Sequence, residues 1–303
     1  MKNFLIRTAS GVIFGIIMIV CFLWNTQSYS TIMIVIIAAM MNEFLNISIG
    51  KKYPVQKGMA VLAGISFFIL LLVSIKYGIS PAILLFSLIP VMAIYIANLY
   101  TGEFNIHKRE VGKDGVEMRV NNGYEFIPFA VTAILYIAVP MSLCNFIVLE
   151  GAAGESATLD APLTYSGKIL LGMLVLLWAN DVGAYCLGTA IGQKYGSKLF
   201  PSISPKKSWV GFWGGLACTV LAALAIRNIL FEQISIIGTI GLAIIICIFG
   251  VWGDLIESQF KRNFGVKDSG RIMPGHGGML DRFDGALMAF PAAVIYLYFF
   301  ILN

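Results

Sequence analysis

Charge is scarce in this chain. Only 12% of its 303 residues are Asp, Glu, Lys or Arg, against roughly 25% in a soluble domain. That excludes an ordinary water-soluble globule. No CxxC pair occurs, and the five cysteines, Cys21, Cys144, Cys186, Cys218 and Cys247, all fall within or beside apolar segments. A disulfide framework and a zinc site are therefore unsupported, and the thiols read as small packing residues. There is no basic tail and no basic-aromatic module, so the net charge of +5 does not point to nucleic acid. Internal repeats and low-complexity tracts are also missing.

Hydrophobic sequence fills the space left by charge. Mean hydropathy is +0.85, and apolar runs reach membrane-spanning length. The chain reads as an all-α polytopic integral membrane protein with about nine transmembrane helices. They fall near 10–25, 30–48, 58–76, 80–99, 126–149, 168–190, 209–229, 234–258 and 285–302. The N-terminal stretch resembles a signal peptide, but no small-residue cleavage site precedes a soluble domain, so it reads as a retained first span. The 100–122 loop, long and mixed in charge, reads as a surface excursion. Residues 1–150 form a set of N-terminal helices, and residues 151–303 carry the polar chemistry within their own spans.

Lys and Arg set the orientation. Only Lys76, Lys168 and Arg227 fall in the loops of one side, and the other eighteen fall opposite, with the N-terminus. The positive-inside rule then places the N-terminus and the loops after the sixth and eighth spans in the cytoplasm, in a cell inner (plasma) membrane.

Four polar constellations stand out. Asn180-Asp181 lies deep in the sixth span, where an aspartate costs roughly 2.5–3.5 kcal/mol to insert and is usually functional or paired. Residues 192–209 gather Ser202, Ser204, Lys206, Lys207 and Ser208 around two prolines; lysines bind phosphate as compact charges, although an ordinary positive-inside loop looks similar. At the end of the eighth span, Asp254, Glu257, Ser258 and Lys261 follow at i, i+3, i+4 and i+7 and share one helix face. Two acids, a hydroxyl and a lysine there suit a divalent cation beside a phosphate, and a Glu257–Lys261 pair alone would be an exit turn. Last comes PGHGGMLDRFDG, residues 274–285, with a glycine turn around His276 followed by Asp281, Arg282 and Asp284. Magnesium typically takes one or two carboxylates plus phosphate oxygens. Asn42-Glu43, in the second span, reads equally as cavity lining or as a structural contact.

Ser258, Lys261-Arg262, Lys267-Asp268, His276-Gly277-Gly278 and Asp281-Arg282-Phe283-Asp284 together resemble the C-terminal signature of the phosphatidate cytidylyltransferases. Asn180-Asp181 with GAYCLG, and SPKKSW with GFWGG, resemble that family's other segments, so the likeness covers roughly residues 170–290. It implies transfer of a cytidylyl group from CTP to phosphatidic acid in the bilayer, with Mg2+ and room for a monovalent cation such as K+. By position and resemblance, Asp254 and Asp281 are the leading metal ligands, and Asp284 and Asp181 are further candidates. Lys206, Lys207, Lys261, Arg262, Lys267 and Arg282 form the phosphate-binding pool, Ser204 and Ser258 are hydroxyl contacts, and His276 contacts phosphate or orients a carboxylate. The family also suggests a homodimer. Two competing readings are the same chemistry on another lipid phosphate and an ion-coupled transporter with Asp181 and Asp254 as ion sites, which would need broken helices and an inverted repeat.

Overall fold

A computed structural model of the chain describes residues 2–100, 122–150, 158, 163–192, 196–275 and 277–301. The 100–122 excursion lies almost wholly outside the described residues, as do His276 and most of the 151–162 stretch. Among the described residues the long helices are α1 (Lys2–Leu23), α2 (Thr26–Ile49), α3 (Pro54–Tyr77), α4 (Pro81–Tyr100), α5 (Phe126–Val148), α6 (Lys168–Gly192), α7 (Trp209–Leu230), α8 (Ile236–Asn263) and α9 (Leu280–Phe300). Helices α2 to α9 are long and apolar enough to cross a membrane, and the apolar part of α1, Thr8–Leu23, is shorter. The protein is a multi-pass, all-α membrane protein.

Local chemistry sets several boundaries. Asn25 accepts from the Ser28 amide while Ser28 Oγ accepts from the Asn25 amide, a capping box that starts α2. Helix α5 carries a π-helical turn at Ile134–Ala138, next to Pro140, which has no N–H to give the carbonyl four residues back. Two of the differences from the hydropathy reading bear on the site. Helix α8 continues to Asn263, because its last polar residues pair along the helix. Helix α9 begins at Leu280, so Asp281 and Asp284 sit in its first turns.

Helix α2 runs through the core. Its Tyr29, Met33, Ile36, Ile37 and Met40 are fully buried, and Tyr29 Oη donates to Asn145 Oδ1 (2.9 Å), whose Nδ2 donates to the Phe68 carbonyl (3.2 Å). That chain ties α2, α5 and α3 together across an apolar interior.

Contacts at the helix ends are consistent with the alternation of spans. The short ribbon of β1 (Leu149–Glu150) and β2 (Thr164–Tyr165) meets the C-terminal ends of α1 and α3. There Tyr165 Oη donates to the Phe22 carbonyl (2.7 Å) and the Leu163 amide to the Lys76 carbonyl (2.9 Å). Toward the other end of α1, Ser10 Oγ donates to the Pro274 carbonyl (3.0 Å). A second ribbon, β3 (Lys198–Phe200) and β4 (Ser204–Ser208), links α6 to α7.

Candidate active site

The polar segments converge where α6, α8 and α9 approach each other beneath the second ribbon. Two close approaches allow this. A side chain at Gly215 of α7 would collide with Asn180, and one at Gly253 of α8 would collide with the backbone of Asp284 and Gly285. Only glycine lets these helices come so near.

Two cavities meet at Asp181 and Asp254. The first, about 660 Å3, is lined by Asn180, Asp181, Tyr185, Lys206, Lys207, Ser208, Phe212 and Asp254 among mainly small and apolar residues. The second, about 380 Å3, is lined by Gly11, Phe14, Gly15, Trp178, Asp181, Asp254, Met273, Asp281, Arg282 and Asp284. A small void bordered by Asp181, Asp254, Asp284 and Arg282 shares lining with both. A third cavity, about 560 Å3, is formed by the loop before α9 and holds Lys267, Arg271 and Arg282. These volumes are in the range of small-molecule sites.

The polar stripe at the end of α8 divides its work. Asp254 and Ser258 serve the cavity side: Lys207 Nζ lies 2.5 Å from Asp254 Oδ2, and Ser258 Oγ donates to Asp254 Oδ1 (3.1 Å). Glu257 and Lys261 turn into the protein. Lys261 Nζ lies 2.5 Å from Glu257 Oε2 and 2.6 Å from Asp281 Oδ1. Glu257 is fully buried and Lys261 is 8% exposed. The Glu257–Lys261 pair is therefore not a solvated exit turn; it is an interior ion pair that reaches α9.

Asp281 is engaged on both oxygens. Oδ1 accepts from Lys261, and Oδ2 accepts from the amides of Ser269 (2.9 Å) and Gly278 (2.8 Å). The Asp281 amide in turn donates to Ser269 Oγ (3.3 Å). The loop between α8 and α9 is thus tied back onto the start of α9. Its turn is closed by the Met273 amide donating to the Gly277 carbonyl (3.0 Å), with Gly275 and Gly277 at φ 75 and 84, a region that disfavours other residues.

The expected residues sort as follows. Asp181, Asp254, Asp281, Asp284, Lys206, Lys207 and Arg282 line the first two cavities, and Lys267 lines the third. Ser258 reaches the site through Asp254. Lys261 is committed to the interior pair. Arg262 donates to the Val266 carbonyl (3.2 Å) and steadies the loop from outside. Ser204 opens β4 and does not line these cavities; Ser208 does, and its Oγ accepts from the Gly211 amide to cap α7 (3.2 Å). His276 lies outside the described residues.

Three contributors were not legible as site residues: the Gly11, Phe14 and Gly15 wall from α1, Trp178, and Ser269. The first two look like ordinary span residues, and the third gives no signal apart from the loop it sits in.

Among the described residues, no three His, Cys, Asp or Glu side chains are arranged to hold a metal ion unaided. Three aspartates nevertheless border one small space, with Lys207 and Arg282 as the facing cations. Like charges so close in a poorly solvated space oppose one another.

Comparison with known proteins gives a consistent picture. The sequence profile of the cytidylyltransferase family matches residues 5–300. Over 128 residues the chain is 44% identical to the phosphatidate cytidylyltransferase of Staphylococcus aureus (strain COL), a stretch that is 42% of this chain and 48% of that one. The phosphatidate cytidylyltransferase of Staphylococcus epidermidis is 43% identical over 130 residues (43% and 49% of the two chains). That of Staphylococcus saprophyticus is 46% identical over 129 (43% and 48%). The chain spans about half the length of the curated relatives it matches.

Proposed function

The chain belongs to the cytidylyltransferase family, and from that membership and the geometry of its site we propose that it transfers the cytidylyl group of CTP to phosphatidic acid. The products are CDP-diacylglycerol, which stays in the membrane, and pyrophosphate. The observation that carries this reading is the meeting of two cavities at Asp181 and Asp254, one mainly apolar and lysine-edged, the other lined by four aspartates and Arg282. A reaction between a lipid phosphate and a nucleotide needs such a junction.

A phosphatidate oxygen attacks the α-phosphorus of CTP, the bond from that phosphorus to the bridging oxygen breaks, and pyrophosphate departs with the electron pair. The nucleophile is already an anion, so no base is required, and catalysis comes from alignment and charge neutralisation. Lys207 and Arg282 face the junction and offset phosphate charge. Lys206 and Lys267 extend the cationic surface along the first and third cavities. The apolar lining of the first cavity, including Phe212 and Val251, suits the glycerol and acyl end of the lipid. Trp178, Phe14 and Met273 form the apolar part of the wall of the second. Magnesium fits the chemistry of the carboxylates that border the junction: with phosphate oxygens completing its shell, one or two among Asp254, Asp181, Asp284 and Asp281 would hold it. When bound, the ion neutralises the departing pyrophosphate.

On this reading residues 151–303 carry the charged chemistry, and residues 1–150 support it, with Gly11, Phe14 and Gly15 forming part of the second cavity's wall. The Lys and Arg distribution supports a cytoplasmic site, where CTP is found.

The test uses purified chain in detergent with magnesium and α-labelled CTP, against phosphatidic acid and a panel of other lipid phosphates. Label should enter chloroform-soluble lipid with phosphatidic acid, and EDTA should abolish it. Labelling of a different lipid phosphate alone would move the substrate; no labelling with any of them would overturn the reading.

A further inference from the structure

Glu43, which the sequence offered with Asn42 as cavity lining or as a structural contact, lies more than 200 residues from the loop it touches. It is on α2, 5% exposed, in a span where an acid is expensive unless it is partnered. Among the described residues its hydrogen-bond partners come from the loop before α9 and the first residues of that helix. Ser269 Oγ donates to Oε2 (2.9 Å), the Met279 amide to Oε1 (3.0 Å) and the Leu280 amide to Oε2 (2.8 Å). The last two are amides that the start of α9 leaves without a helical acceptor. The neighbouring loop is shaped around this carboxylate. A Cβ at Gly270 would collide with it, and one at Gly278 would collide with both it and Ser269 Oγ.

We propose that Glu43 is a positioning residue that clamps the 267–281 loop onto α2 and so sets the place of Asp281 and of the cations Lys267, Arg271 and Arg282, a role that rests on the reaction proposed above. The connection runs through named bonds. Glu43 fixes Ser269; Ser269 donates its amide to Asp281 Oδ2 and accepts from the Asp281 amide; and Asp281 meets Lys261. Two acids, one from each half of the chain, therefore hold the loop at its two ends. Glutamine at position 43 keeps the shape but offers one acceptor oxygen instead of two, and turns an NH2 group toward an N–H or O–H donor. Charge-assisted bonds of this kind are among the stronger ones a protein makes, so the loop should loosen without the bundle unfolding.

Hydrogen exchange and steady-state kinetics on the purified full chain test this together. In Glu43→Gln, amide exchange in peptides covering 277–281 should quicken at least tenfold while the interior of α8 is unchanged. The KM for CTP or for phosphatidate should rise at least fivefold. A residue needed only for folding would lower the active fraction, and with it the apparent kcat, and would leave both KM values where they were. Gly270→Ala supplies an independent arm. It should lower kcat/KM at least tenfold in the natural chain but less than threefold in a Glu43→Ala background, where the colliding group is gone; coupled residues show this non-additivity. Unchanged exchange in Glu43→Gln, unchanged KM values, or strictly additive effects of the pair would each overturn the proposal. If the natural chain transfers no label at all, the reaction fails by that result, and the exchange experiment still decides whether Glu43 anchors the loop.

Discussion

Replacing Lys261 by methionine should cost the fold about 3–5 kcal/mol, the usual penalty for breaking a buried pair from one side. The size follows from the surroundings. Lys261 Nζ sits 2.5 Å from Glu257 and 2.6 Å from Asp281, and the side chains of the three residues are 11%, 0% and 9% exposed. Glu257 Oε1 finds no hydrogen bond among the described residues, so the lysine is the main compensation for that carboxylate. Methionine retains most of the apolar stem and removes only the charge, which separates electrostatics from packing. A second variant closes the argument. Adding Glu257→Leu removes the stranded acid and should recover at least about 2 kcal/mol, since apolar replacement of a whole buried pair is often near neutral. Reversible unfolding in mixed micelles, followed by circular dichroism, measures both. A loss below about 1 kcal/mol in Lys261→Met, or no recovery in the double variant, would refute the interior pair and return Lys261 to the phosphate-binding pool.

Other variants separate the roles of the acids and cations. Asp254→Asn should lower transfer at least about 100-fold with little change in unfolding midpoint, because Asp254 is 36% exposed and faces the cavities; turnover within tenfold of the natural chain would remove it from the reacting centre. Asp281→Asn should lower both turnover and stability, because that carboxylate accepts three hydrogen bonds that hold the loop; a variant that keeps its unfolding midpoint would contradict the clamp. Lys207→Ala, at the junction where the two substrates' phosphates meet, should raise the KM for CTP or for phosphatidate by about tenfold, the loss of one charge-assisted contact, with the folded yield intact; unchanged dependence on both would remove it from the junction.

The helices were legible because an apolar run of membrane length has few other uses, and their ends were less so. The hydropathy reading stops α8 near 258, but Glu257 and Lys261 satisfy each other one turn apart and let the helix continue to Asn263. The ribbon from Lys198 to Ser208 could not be anticipated: SPKKS has no alternation of apolar and polar residues, and its pairing depends on a partner strand. Within the site, helical spacing put Asp254, Glu257, Ser258 and Lys261 along one stripe of α8, which the structure divides between cavity and interior. It could not tell which pair would face the cavity and which the interior, because that depends on where α9 packs. Asp281 was legible as a candidate, while its engagement by Ser269 and Gly278 depends on a loop closing on itself. Glu43 was the hardest. Its carboxylate is explained by partners 226 to 237 positions away, and local sequence carries no record of them.

Label position in the product separates cytidylyl transfer from phosphoryl transfer. The purified chain would be supplied with phosphatidic acid, magnesium and CTP labelled at either the α- or the γ-phosphate. The account predicts that only the α-label enters the lipid and that the γ-label is recovered as pyrophosphate. Label from the γ-position in the lipid would mean phosphoryl transfer instead of cytidylyl transfer, and would contradict it.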